Sequence, residues 1–316
     1  MPKKFSAATL MVLAACVIWG AQPMFVTFVV REFDPIPLVS IRYFTVGVLM
    51  LAFLAYSGEK LLPPRKAWLP LFLMGVFSVG GNNVSQFTGL RYSTVANLTI
   101  IASLTPAVTA LLSLVLLQER LHKVQWLGIV TSIIGAVYLI SKGSLATIIN
   151  LSFNFGDILF VVSMVAWALY TILVAYVSKY VSAYSAVAWA GLLGSLTTAA
   201  SSVATGQFAL PYDLSLLAWG SYFYVIFIGS IVGMICWNKG IRIVGPSQGA
   251  VFMNLMPLVG IICGILFLHE KFYPSEAVGG ILIIAGVYLT THYNHVAYKL
   301  AKYLVKRRRQ KSLTNS

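Results

Sequence analysis

"SLTPAVTALLSLVLLQER" occupies residues 103–120 and "NLMPLVGIICGILFLHEK" residues 254–271. Each has a proline at its fourth position, runs on through apolar residues, and closes on a Glu followed by a base. One constant offset carries Pro106 onto Pro257, Leu117 onto Leu268 and Glu119 onto Glu270, and also "GLR" (89–91) onto "GIR" (240–242) and Gly135 onto Gly286. A slightly different offset lays "IWGAQPMFVTFV" (18–29) over "AWALYTILVAYV" (166–177), matching Trp19 with Trp167. The chain says the same thing twice.

The medium in which it says it follows from composition. Of 316 residues 59% are hydrophobic and 9% charged, against about a quarter charged in a soluble domain, and the mean hydropathy is +0.86. A bilayer-crossing helix needs about 20 apolar residues. Ten such stretches are predicted: 6–30, 36–57, 67–88, 94–117, 122–141, 156–178, 183–204, 214–236, 246–268 and 274–292. The first is too long for a signal peptide and lacks its cleavage site. Short connections leave the function to the helices themselves.

The net charge of +14 is distributed as membrane topology requires, and no nucleic-acid partner is expected. Placing the N-terminus in the cytoplasm puts Lys3, Lys4, Lys60, Arg65, Lys66, Arg120, Lys123, Lys179, Lys239, Arg242 and the tail inside, and only Arg31, Arg91, Lys142 and Lys271 outside. The expected location is the cell membrane, multi-pass, with both termini cytoplasmic. The tail, 293–316, sets apolar Leu300, Ala301 and Leu304 beside many bases, a pattern suited to anionic lipid headgroups; as a topology anchor it needs no partner.

Five helices per copy force the second copy to enter the bilayer upside down. The expected fold is all-α and integral to the membrane, ten transmembrane helices as two inverted five-helix repeats, 1–141 and 156–292, joined by a loop at 142–155. Inverted repeats are how secondary transporters obtain two access states from one design. The order of "WG" in the first helix, "SIRYF" in the second, "GLRYSTVANLTIIASLTPAVTALLSLVLLQERL" (89–121) and the echoes of these resembles the EamA branch of the drug/metabolite transporter superfamily. That resemblance covers nearly the whole chain. It implies a central cavity lined mainly by the first, third, fourth, sixth, eighth and ninth helices, with the fifth and tenth peripheral, and export more often than import.

Candidate binding residues are the polar and aromatic ones inside the apolar runs. Asn97 corresponds to Gln248, Ser103 to Asn254, Gln22 to Tyr170 and Gln86 to Trp237. Amides and hydroxyls in hydrocarbon must find partners, and a shared cavity or interhelical bonding each supplies them. Asn82, Asn83 and Gln86, beside Gly80 and Gly81, make an unusually polar turn that reads as cavity lining or as a local irregularity of the helix. Trp19, Trp167 and Tyr170 are suited to stacking on an aromatic or cationic ligand. Arg42 is the one ionised group well inside an apolar run; it pairs a substrate carboxylate or phosphate, snorkels to the interface, or pairs with Asp34. Pro106 and Pro257 read as matched hinges.

All eight acidic residues fall at loops or helix ends, so carboxylate-based coupling has no buried candidate at mid-depth; Glu119, Asp157 and Glu270 read foremost as caps or loop pairs. "GPSQG" (245–249) fits a nucleophile-elbow pattern but opens a spanning helix, "HE" at 269–270 lacks zincin spacing, and no Walker loop is present. No catalytic residue, metal or cofactor is expected. The leading reading is a carrier that moves a small organic metabolite, an amino acid or related compound, by alternating access, as monomer or homodimer. Uptake of a nutrient or quaternary amine is the second reading, and an intramembrane enzyme or lipid-handling scaffold the reading from another class.

Overall fold

A computed structural model of the chain describes residues 7–89, 91–144, 146, 149, 154–204, 206, 208–210, 213–268, 273–294 and 296. Ten helices in it are long and apolar enough to cross a bilayer: α1 Ala7–Val30, α2 Pro35–Ser57, α3 Arg65–Gly89, α4 Asn97–Leu116, α5 Lys123–Ile140, α6 Phe155–Val177, α7 Ala183–Ala204, α8 Leu216–Val244, α9 Pro246–Cys263 and α10 Pro274–Thr291. No strand occurs among the described residues. The basic tail beyond residue 296 and Glu270 lie outside them. The end of the bundle that carries Ala7 and Thr291 is termed here the terminal face, and the other end the distal face.

The packing is symmetric under exchange of the two halves. Helix α1 packs on α8 and α9 as α6 packs on α3 and α4, α2 touches α8 as α7 touches α3, and α2–α7 and α5–α10 are self-matching pairs. The self-matching pairs are built on small residues that let backbones approach. A Cβ on Gly286 would sit 2.5 Å from the Gly128 carbonyl oxygen, and one on Gly135 2.7 Å from the Ile283 nitrogen. On α2–α7, a Cβ on Gly47 would meet the Leu192 nitrogen at 3.0 Å. Large apolar side chains such as Leu111, Val115, Leu127, Ile134, Leu196, Ile281 and Ile284 point outward, as a lipid-facing surface requires.

Helical irregularities also recur in both halves. Val76–Val84 in α3 and Tyr224–Val232 in α8 are π-helical, a geometry that widens the turn and moves each backbone bond from the fourth residue on to the fifth. In each segment a polar side chain takes a carbonyl five residues back: Asn83 Nδ2 donates to the Ser78 carbonyl at 2.7 Å, and Ser230 Oγ to the Val225 carbonyl at 3.0 Å. Helices α4 and α9 are both interrupted. The first segment of α4 ends at Ala102 and the second starts at Thr105; α9 passes through a 3-10 turn at Phe252–Leu255 and restarts as Met256–Leu268. Pro106 and Pro257 therefore stand in the first turn of a restarted helix rather than mid-helix, where the missing N–H is tolerated. Thr105 Oγ1 donates to the Ala102 carbonyl at 2.6 Å, taking the acceptor that Pro106 cannot reach.

The expected eighth span, 214–236, is eight residues too short at its far end: α8 continues to Val244. Asn238, Lys239 and Arg242 end the apolar run without ending the helix, because Asn238 is buried against Tyr170 and Lys239 donates to the Tyr184 hydroxyl at 2.6 Å.

Candidate functional site

A cavity of about 1350 Å³ occupies the distal half of the bundle. Its mouth is charged, bordered by Arg31, Asp34, Arg91 and Lys142, and it ends near mid-depth on Trp19, Trp167 and Met253. Ten of the fifteen residues singled out from sequence line it: Trp19, Gln22, Arg42, Asn82, Asn83, Gln86, Ser103, Trp167, Asn254 and Pro257. Helices α1, α3, α4, α6 and α9 form most of the wall, and α5 and α10 reach it only at their distal ends.

Arg42 is the cation of this wall. Its side chain is 3% exposed, its Nε donates to Ser230 Oγ at 2.6 Å, and its guanidinium lies 4.9 Å from the Tyr43 ring centroid. Ser230 can accept this bond because its own proton is spent on the Val225 carbonyl in the π segment. Asp34 is not the partner of Arg42: it is paired with Arg91 at the mouth, the one ion pair among the described residues. A guanidinium buried in hydrocarbon without a carboxylate is costly unless something anionic visits it.

The polar turn of α3 is both of the things its sequence suggests, an irregularity and a lining. Asn83 Nδ2 reaches the Tyr43 hydroxyl at 3.2 Å, and Asn82 Nδ2 donates to Ser163 Oγ at 3.0 Å. These two amides knit α2, α3 and α6 through their N–H donors; Gln86, one turn on, is half-buried at the cavity wall. Elsewhere two acceptors are unpartnered. Gln22 Oε1 and Asn254 Oδ1 are buried without a hydrogen bond, while Asn254 Nδ2 donates to Ser132 Oγ at 2.9 Å.

The floor is aromatic. Trp19 and Trp167 meet edge to face at 5.2 Å, and Trp237 closes the triangle from below at 5.5 and 5.7 Å. Trp19 Nε1 donates to the Gly229 carbonyl at 2.9 Å, inside the π segment of α8, and Trp167 Nε1 points at Met253 Sδ at 2.9 Å. Gly233 makes room for the Trp19 indole, since a Cβ there would lie 2.7 Å from Nε1.

The other five residues are elsewhere. Tyr170 is buried, its hydroxyl donating to Asn238 Oδ1 at 2.8 Å. Trp237 is fully buried. Gln248 is half-buried at the start of α9, and Pro106 is buried in α4. Asn97 turns away to α6, where its Nδ2 donates to Asp157 at 2.9 Å. Asp157 also accepts from Ser93 Oγ at 2.5 Å and from the Asn154 N–H at 2.8 Å, which makes it the anchor of a capping box. Sequence reasoning passed over Tyr43, Ser163, Ser230 and Met253; single polar or sulfur atoms in an apolar run carry no signal until their neighbours are known.

At the distal rim Glu32 accepts from both the N–H and the Oγ of Ser215, each at 2.7 Å. These bonds hold its carboxyl below the usual range. On the terminal face Ser247 Oγ donates to Glu119 Oε2 at 2.8 Å, joining the end of α4 to the start of α9. Ser247 is thus a helical residue tied to a carboxylate, not the tip of a strand-turn-helix. No group of metal-ligating side chains occurs among the described residues.

The model of the EamA-like transporter family matches residues 6–141 and 154–292. The chain belongs to the EamA-like transporter family. Among similar proteins, the uncharacterized transporter YyaM of Bacillus subtilis (strain 168) is 28% identical over 88% of this chain and 91% of its own length. An uncharacterized transporter of Archaeoglobus fulgidus is 28% identical over 92% and 99%, and the uncharacterized inner membrane transporter YedA of Escherichia coli (strain K12) 25% identical over 88% of each chain. A solved crystal structure superposes with a TM-score of 0.75 at 17% identity, covering 90% of this chain and 96% of that one; it shares the fold. This EamA-like chain is a multi-pass membrane transporter.

Proposed function

We propose that the protein is a secondary carrier for a small organic metabolite bearing a carboxylate, an amino acid or a related compound, which it moves across the cytoplasmic membrane by alternating access. The observation that carries the substrate class is Arg42, a buried guanidinium on the cavity wall that has a hydroxyl for Nε and no carboxylate partner among the described residues. Anionic ligand groups suit such a fork. With the terminal face in the cytoplasm, as the distribution of Lys and Arg favours, the cavity is open to the outside and closed within by the aromatic triangle and the Glu119–Ser247 bond. Matched breaks in α4 and α9 and matched π segments in α3 and α8 supply each half with the same places to bend. Family resemblance favours export.

The test is counterflow in liposomes holding the purified protein and preloaded with an amino acid, a nucleoside or a quaternary amine. Exchange of carboxylate-bearing solutes alone supports the reading. Exchange confined to quaternary amines, whose attraction would be to Trp19 and Trp167, would replace it with the uptake-type carrier of cations.

A further inference from the structure

Directly beneath the aromatic floor, in the half of the bundle that the cavity does not reach, two successive residues of α8 hold hydrogen-bond donors with nothing to donate to. Trp237 is 0% and Asn238 3% exposed. Trp237 Nε1 and Asn238 Nδ2 are unpartnered, while Asn238 Oδ1 accepts from the Tyr170 hydroxyl. A buried donor without an acceptor is disfavoured and calls for an explanation. The neighbouring rings offer none: Trp19 and Trp167 meet Trp237 as tilted rings at 5.5 and 5.7 Å, with no acceptor for its Nε1.

The repeat supplies one. The offset that carries Pro106 onto Pro257 carries Gln86 onto Trp237 and Phe87 onto Asn238, and the offset that carries Trp19 onto Trp167 carries Gln22 onto Tyr170. All three first-half residues line the open cavity. Inversion places their second-half counterparts at mirrored depth, on the closed side.

We propose that Tyr170, Trp237 and Asn238 form a second substrate subsite, exposed when the bundle opens at the terminal face, which takes the anionic end of the substrate on the neutral N–H donors of Trp237 and Asn238, with the Tyr170 hydroxyl holding the Asn238 amide by its oxygen. This rests on the alternating-access reading above. The two subsites are not equivalent in chemistry. At the offset that matches the tryptophans, Arg42 falls on Ala190, so the terminal-side subsite offers dipoles where the distal one offers a guanidinium. Charge-assisted hydrogen bonds are about twice as strong as neutral ones. The carrier therefore holds a carboxylate more tightly from the distal face than from the terminal face.

The experiment uses right-side-out and everted vesicles from cells expressing the full chain, with labelled leucine, phenylalanine and glutamate as probes, and reads the exchange KM on each face. Expected is a higher KM on the terminal face, raised a further ~3- to 10-fold by Trp237→Phe or Asn238→Leu while the distal-face KM is unchanged; Arg42→Gln does the reverse. Trp237→Phe keeps a ring in the triangle, so folding is not the variable. Equal shifts on both faces, or none on either, overturn the proposal. A second readout needs no transport. With Cys16, Cys236 and Cys263 replaced by Ser, Asn238→Cys is expected to react with an impermeant maleimide from the terminal face. Labelling from that face with KM unmoved by Trp237→Phe and Asn238→Leu removes the subsite and leaves alternating access standing. Absence of labelling together with no exchange of any probe removes the reading of an alternating-access amino-acid carrier, and the subsite with it.

Discussion

The Asn97 side-chain amide donates to the Asp157 carboxylate at 2.9 Å, bridging the distal ends of α4 and α6. Asp157 is 1% exposed and meets two further donors, Ser93 Oγ and the Asn154 N–H. Removing one donor from a buried carboxylate costs about 1.5–3 kcal/mol. Asn97→Leu is therefore expected to lower the melting temperature of the detergent-solubilised protein with KM unchanged. Normal stability with a raised KM would return Asn97 to the list of ligand-binding residues.

Arg42→Gln is expected to raise KM for a carboxylate-bearing substrate by about 10- to 100-fold, the loss of a charge-assisted bond of roughly 1.5–3 kcal/mol. Ser230→Ala, which removes the hydroxyl that receives Nε at 2.6 Å, is expected to give a smaller shift in the same direction. Unaltered KM in both variants would separate Arg42 from substrate.

The α5–α10 seam has no slack. A Cβ on Gly286 would lie 2.5 Å from the Gly128 carbonyl oxygen and 2.5 Å from the Ser132 nitrogen, both backbone atoms that no rotamer change can move. Gly286→Ala is expected to destabilise by about 1–3 kcal/mol or more, read as a fall in melting temperature and in yield of monodisperse protein. Gly220, with nothing within 4 Å of its would-be Cβ, is the contrast: Gly220→Ala is expected to stabilise α8 by up to about 1 kcal/mol.

The Glu32–Ser215 contact gives a pH dependence of known sign. Hydrogen bonds from Ser215 depress the folded-state pKa of Glu32. Its contribution is thus complete above the unfolded value of about 4.3 and is lost as pH falls through the lower folded value. At the start of α8, where Ser215 caps the helix by accepting from the Ala218 N–H, protection of the amides relative to their intrinsic exchange rate should fall on acidification below the unfolded value of about 4.3, and Ser215→Ala should abolish that pH step. A step that survives Ser215→Ala would belong to another carboxylate.

Most of the architecture was legible in the sequence because a bilayer leaves few options: apolar length marks the spans and an odd count per repeat forces inversion. The site was legible in part. Polarity at 82–86 pointed to both a helix irregularity and a lining, and both are present. The π segment at Tyr224–Val232 was not, since "YVIFIGSIV" differs in nothing from an ordinary apolar turn. Asn97, Tyr170 and Trp237 were expected at the cavity as members of matched pairs. In a bundle open at one end, however, matched residues occupy unlike surroundings: Gln22 and Gln86 line the cavity while Tyr170 and Trp237 are sealed below it. Sequence symmetry identifies counterparts; the conformation decides which of them is wet.

The chamber of about 1350 Å³ is larger than an ordinary ligand pocket, roughly 300–1,000 Å³. A single amino acid fills a small part of it and leaves most of its own outline untouched by protein. On the proposed reading, a carrier built this way would sort its cargo by the few groups that meet Arg42 and the tryptophan floor, and would tolerate wide variation in whatever projects toward the mouth. On that reading, a broad substrate range would be a property of the empty space as much as of the residues around it.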